Sequence, residues 1–219
     1  MNAWAQQPGR RLEVLQNWLA DAPPAKCSIS VANGPLAGRT IFVYAGNMGV
    51  AQGMDIVLNL ADRLQNRSDL GFIFVGRGKD AQRLRDMAEA RGLTNVLFYD
   101  EIDPDEIPGL YAQCHVGIVA LDPRHTTHNI PGKFLGYMQS GLPVLANINP
   151  GNDLVDMIVN EGVGRVCTDD SVDTLLRLAG LLLDDIAGGG AMGLRCKALS
   201  ARLFSPAAAV RQVVAALSS

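Results

Sequence analysis

Lys133 is a residue whose type and position both point to anion chemistry, the only cation able to reach a phosphate at its helix end. It sits in the first turn of a stretch that reads as a helix opening at Pro131, directly after a polar loop, Asp122 to Ile130. A helix N-terminus offers unpaired N–H groups to an anion, and a lysine there adds a charge that can reach a phosphate. Two glycine-bearing turns could supply the rest of an anion site. Ala45-Gly46-Asn47-Met48-Gly49-Val50-Ala51-Gln52-Gly53 follows an apolar run and leads into a helix. That suits a phosphate loop, although a tight strand-to-helix turn needs flexible residues too. Gly76-Arg77-Gly78-Lys79-Asp80-Ala81 formally matches G-x-G-x-x-A, with Asp100 roughly 20 residues further on, so a dinucleotide reading is open. Against it, the fingerprint stands on the second strand–helix unit and not the first.

Other polar groups admit less chemistry. His125-Thr126-Thr127-His128 with Asp122 has no further ligand nearby, so the histidines read as hydrogen-bonding groups and no metal site is expected. Asp103, Asp105 and Glu106 are explained as dipole-complementing residues at a helix start, with Asp103 as N-cap and Pro104 at the first helical position. Asp100 and Glu101 are left over, and could face a base or a ribose. Gly136 lies inside a helix, where glycine costs up to about 1 kcal/mol against alanine; it marks close packing or a lost side-chain function. Nothing resembles a nucleophile elbow with a paired histidine.

The elements that must position these groups alternate. Apolar runs at Thr40–Ala45, Gly71–Val75, Asn95–Tyr99, His115–Leu121, Pro143–Asn147 and Gly164–Cys167 read as strands buried on both faces. Amphipathic stretches separate them: one through Met54, Val57, Leu58, Ala61 and Leu64, another from about Asp80 to Arg91, stopped by Gly92. Six strands separated by helices specify an open, doubly wound α/β sheet, whose ligands bind beyond the carboxyl ends of the strands. Residues 1–38 differ: an amphipathic helix around Leu12–Ala20, then a Pro/Gly/Ser-rich tract, are expected to form a flanking helix and an interdomain linker, with residues 39–219 as the binding domain. From Val172 on the chain reads as helical, interrupted at Gly188-Gly189-Gly190.

Composition narrows the classes. The chain has 219 residues, 48% hydrophobic and 19% charged, with a formal net charge of −3, enough to bury a core and no footprint of a nucleic-acid binder. The N-terminus has no apolar signal region, and no apolar run approaches a membrane span. The four scattered cysteines suit reduced thiols in a cytoplasmic protein.

Several motifs in order resemble the C-terminal half of a GT-B, retaining family 4 glycosyltransferase, over about Thr40 to Ala216. They are Tyr44-Ala45-Gly46-Asn47…Gln52-Gly53, Phe72-Ile73-Phe74-Val75-Gly76-Arg77-Gly78, Val96-Leu97-Phe98-Tyr99…Pro104-Asp105-Glu106-Ile107-Pro108-Gly109-Leu110-Tyr111, and Ile130-Pro131-Gly132-Lys133-Phe134-Leu135-Gly136-Tyr137-Met138-Gln139-Ser140-Gly141-Leu142-Pro143-Val144. The last is similar to the version in members that build bacterial surface polysaccharides; Leu203-Phe204-Ser205 also fits.

The resemblance implies a Rossmann-like half that holds a nucleotide-sugar donor, usually UDP-linked, with no metal and no cofactor required. It puts the base against Tyr99, Asp100, Glu101 and Ile102. The diphosphate falls to the loop of Gly46, Asn47, Gly49 and Gln52, to the N–H groups near Asn129, Ile130, Pro131 and Gly132, and to Lys133, with Arg77 also among the donor-binding residues. It implies an acceptor glycan, lipid-linked or polysaccharide, bound by an N-terminal half that supplies the catalytic histidine. The whole enzyme would then sit peripherally at the cytoplasmic face of the inner membrane, making lipopolysaccharide, capsule or O-antigen. Three departures stand out. Asn47 and Gln52 replace the family's first-loop Arg and Lys. His128, the one candidate catalytic residue in this half, replaces the first glutamate of the E-x7-E motif. Gly136 replaces the second, which grips the ribose. The alternatives are a non-catalytic nucleotide-sugar-binding domain and an NAD(P)-dependent oxidoreductase domain.

Overall fold

The computed structural model describes residues 14–20, 26–122, 124 and 130–217. Six strands, β1 (Thr40–Ala45), β2 (Leu70–Val75), β3 (Val96–Tyr99), β4 (Val116–Ala120), β5 (Val144–Asn147) and β6 (Gly164–Cys167), form one sheet in the order β3-β2-β1-β4-β5-β6. Every pairing is parallel. The strands match the apolar runs read from the sequence to within a residue or so at each end.

Alternation along the strands feeds two cores. Phe42 and Tyr44, Phe72 and Phe74 face one side, with α1 (Asp55–Arg63), α2 (Ala81–Ala90) and α6 (Val172–Ala187) packed over them. Ile41 and Val43, Ile73 and Val75 face the other, under α3 (Ile107–Tyr111), α4 (Gly132–Ser140), α5 (Asp153–Glu161) and α7 (Met192–Leu203). A last helix, α8 (Pro206–Leu217), follows. Burial on both faces is why the strands are nearly continuous in apolar residues. The order reverses between β1 and β4, the switch point where such sheets bind ligands.

That point is tied by one side chain. Gly117 on β4 lacks the Cβ that would stand 2.5 Å from the Tyr137 ring, so the ring of α4 lies flush on the sheet. Its hydroxyl reaches the carbonyls of Val43 and Ile118, 3.1 Å each. The middle of α4 is thereby fixed against β1 and β4.

Two expectations are corrected. The helix expected around Leu12–Ala20 is not formed over 14–20, the part of it within the described residues. The backbone groups of this segment are taken by other elements: the Leu19 N–H donates to the Phe204 carbonyl (2.9 Å), Gln139 donates to the Ala20 carbonyl (2.7 Å) and Gln212 to that of Val14 (2.9 Å). Tertiary hydrogen bonds here outweigh helix propensity. Pro131 caps α4 from an extended conformation and is not its first helical residue. The tract 26–38 lies outside the sheet but docks firmly: Ile29, Val31 and Leu36 are buried, and Gln113 bonds both the Val31 N–H and the Ile29 carbonyl, 2.9 Å each.

Candidate functional site

The site is assembled where β1, β2 and β3 end. The chain leaves β1 at Gly46 and β2 at Gly76, with φ of 140° and 136°, values that only glycine adopts readily. The two turns touch. A Cβ on Gly76 would stand 2.1 Å from the Gly46 carbonyl oxygen, and one on Gly78 would stand 2.3 Å from that of Met48. The Met48 N–H donates to the Arg77 carbonyl (2.8 Å) and the Asp80 N–H to the Met48 carbonyl (2.9 Å). Gly76 and Gly78 are thus required by the crossing of two protein loops, and the Gly76 N–H is taken by the Tyr99 carbonyl (3.1 Å).

The loop after β1 is held by its own uncharged residues. Tyr44 donates from its hydroxyl to the Asn47 carbonyl (2.6 Å). The Gln52 side-chain oxygen accepts from the Gly49 N–H (3.0 Å) and from the Asn47 amide (3.2 Å). A short 3-10 turn, Val50–Gln52, then ends at Gly53 with φ of 56°, close against Asp122. Asn47 and Gln52 shape the loop and bring it no charge.

The charge comes from α4, at the carboxyl end of the sheet. Lys133 extends over the carboxyl end of β1. Its Cε lies 3.6 Å from the point a Gly46 Cβ would occupy, and its Nζ 4.9 Å from the centre of the Tyr44 ring, a cation–π contact. Among the described residues it has no carboxylate within ion-pair range. Burial pushes its ammonium down to about 8. A half-buried, unpaired cation beside a loop and a helix N-terminus favours an anionic ligand.

A cavity of about 700 Å³ opens from this point. Gly46, Asn47, Gly76, Arg77, Glu101 and Ile102 line its rim at the strand ends, and Lys133, Gly136 and Ser140 one wall along α4. Pro104, Ile107, Pro108 and Tyr111 form the opposite, apolar wall, and Leu19 and Ala20 close one side. Gly136 packs closely: a Cβ there would lie 3.2 Å from Tyr111 Cε2. Arg77 and Glu101 span the rim as an exposed ion pair (2.9 Å).

Of the residues singled out in the sequence, Gly46, Asn47, Arg77, Glu101, Ile102, Gly132 and Lys133 line this cavity. Gly49 and Gln52 stand behind the first and set its loop. Tyr99, Ile130 and Pro131 are not among its lining residues. Asp100 does not join it: its carboxylate points outward, 93% exposed, onto Arg85 (2.6 Å). His128 and Asn129 lie outside the described residues. Sequence reasoning missed Tyr111, Ser140 and the Pro104–Pro108 wall. The spacing of Lys133, Gly136 and Ser140, at i, i+3 and i+7, was a signal that one face of α4 looks into a cavity. Leu19 had no local signal.

Comparison with known proteins agrees with this geometry. A family model for glycosyl transferases group 1 matches residues 39–185. WcaI of Escherichia coli K12, assigned to colanic acid biosynthesis as a glycosyl transferase, is 39% identical over 80 residues, 36% of this chain and 19% of that protein. WbjE of Pseudomonas aeruginosa, assigned as a glycosyltransferase, is 24% identical over 173 residues, 77% and 43% of the two chains. The chain therefore spans less than half the length of either relative. Among solved structures, Anabaena HepE in complex with UDP and glucose has a TM-score of 0.68 at 17% identity, over 84% of this chain and 49% of that one. WaaG, a glycosyltransferase involved in lipopolysaccharide biosynthesis, has a TM-score of 0.64 at 16% identity, over 80% and 46%.

Proposed function

Because this chain belongs to the glycosyl transferases group 1 family, we propose that its cavity is the donor half of a retaining sugar-transfer site, taking a nucleotide sugar, UDP-linked. The observation that carries the reading is Lys133: a half-buried cation with no carboxylate partner among the described residues, laid across the end of β1, beside the Gly46–Gly53 loop and above a cavity with an apolar wall. Family neighbours crystallised with UDP or UDP-glucose support the nucleotide.

In this reading the diphosphate lies between Lys133 and the first loop, with Arg77 at the rim. The base enters the slot between Ile102 and the α3 wall. When the anomeric C–O bond breaks, its electron pair passes to the diphosphate oxygen. The Lys133 ammonium and nearby amide donors stabilise that charge in a site shielded from water, the largest contribution this half makes to the rate. The acceptor hydroxyl bonds to the anomeric carbon on the face the diphosphate left, and its proton passes to the departing diphosphate oxygen. The acceptor, a lipid-linked or polysaccharide glycan of the bacterial surface, is held by a second half, as in two-domain enzymes of this type. Residues 39–219 act as the donor domain and 1–38 as the connection to that half, at the cytoplasmic face of the inner membrane.

Calorimetric titration with UDP tests the reading: binding that falls at least about tenfold in Lys133→Ala supports it. Unchanged affinity in that variant removes Lys133 from the site. A binding-only role is the second reading, favoured by Gly136, which leaves α4 without a ribose-gripping carboxylate; sugar transfer by a two-half form excludes it.

A further inference from the structure

We infer that Tyr44 is the positioning residue of the anion subsite, holding its two halves in one geometry; the inference rests on the donor-nucleotide reading of the same site. Lys133 and the first loop come from opposite faces of the sheet and share no hydrogen bond with each other. Tyr44 touches both. Its ring seats the Lys133 ammonium at 4.9 Å, and its hydroxyl fixes the Asn47 carbonyl at 2.6 Å.

The placement is rigid. Tyr44 is fully buried and lies at the penultimate position of β1, on the same face as Phe42, which stacks on Phe72 at 4.9 Å. Strand and core together leave its ring little freedom. A lysine with four rotatable bonds needs such a seat, because no carboxylate among the described residues orients it. The loop needs the hydroxyl for a separate reason. Its bond draws the Asn47 carbonyl inward, while the Asn47 side chain is held only by its neutral contact with Gln52. Tyr44 has no free access to a ligand; it acts only through Lys133 and the loop.

The two contacts separate by substitution. Tyr44→Phe keeps the ring under Lys133 and loses the loop bond; Tyr44→Leu loses both. Binding of UDP and of uridine, which has no phosphate, is measured for the chain and both variants, with thermal melts to confirm folding. We expect UDP affinity to fall about fivefold in Tyr44→Phe and about thirtyfold in Tyr44→Leu, with uridine within about twofold throughout. A merely structural residue would lower both ligands alike, and that result, or unchanged UDP affinity in both variants, overturns the inference. Inorganic pyrophosphate separates the two claims. If the chain binds pyrophosphate but not UDP, and Tyr44→Leu loses it, the nucleotide reading fails and the role of Tyr44 stands. Binding of neither ligand overturns both.

Discussion

The carbonyl oxygen of Gly46 lies 2.1 Å from where a Cβ on Gly76 would stand, so the turns after β1 and β2 pass each other at backbone contact. A glycine pair that reads as a dinucleotide fingerprint is here a packing device. Because φ at Gly76 is also 136°, alanine is refused on two counts. Gly76→Ala is expected to destabilise the fold by about 3 kcal/mol or more in denaturant unfolding. A loss under about 1 kcal/mol would show that the two turns can separate.

Lys133 is expected to act in opposite directions on folding and binding. Its ammonium titrates at about 8 in the fold against 10.5 for a free lysine. Between those values the unfolded chain binds more protons, so stability rises with pH across that window and is lowest below it. Lys133→Met should therefore stabilise the chain at pH 7, by about 2 kcal/mol, and flatten that rise. UDP affinity should fall as pH rises through about 8, where the cation is lost. Unfolding curves at pH 7 and pH 10 for both proteins check the first part, and a variant less stable at pH 7 contradicts it.

Arg77 and Glu101 face each other across the cavity rim at 2.9 Å, both largely exposed. An exposed pair of this kind contributes little to stability, about 0–1 kcal/mol. Glu101 should instead compete with a diphosphate for Arg77. Glu101→Gln is expected to tighten UDP binding about threefold at low salt, and the gain should disappear in an Arg77→Gln background. An equal gain in both backgrounds would mean that Glu101 acts on the ligand through its own field.

Gly136, whose missing Cβ would lie 3.2 Å from Tyr111 Cε2, is expected from the family resemblance to take the place of a ribose-gripping glutamate. Introducing that side chain tests the alignment. Gly136→Glu should bind UDP about threefold more tightly than the native chain and acquire a preference over 2′-deoxy-UDP. The helix gains up to about 1 kcal/mol from losing the glycine, which offsets the tight approach to Tyr111. Loss of UDP binding would show that the cavity needs the space beside Tyr111.

The sheet was legible because its strands are buried on both faces: six apolar runs, each bounded by turn residues, leave little freedom of assignment. The capped turn at Asp103 and the stop at Gly92 were legible for the same local reasons, side-chain capping and a left-handed glycine. Lys133 could be picked out because position and charge coincide in one helical turn. What escaped the sequence depends on contacts between distant segments. Val14–Ala20 has the pattern of an amphipathic helix, yet α4, α7 and α8 claim its backbone groups. The roles of Tyr44 and of Gly76 arise only where strand ends meet. Asp100 and Glu101 are neighbours in sequence, and the turn of the backbone between them sends one to Arg85 and the other to Arg77.

The most direct test of the donor-site account is calorimetric titration of UDP, uridine and NAD into the chain and into Lys133→Ala. The account predicts that UDP binds the native chain, that Lys133→Ala loses at least about tenfold for UDP and under about twofold for uridine, and that NAD does not bind. Tight NAD binding without UDP binding, or a Lys133→Ala variant with native affinity for UDP, would contradict it.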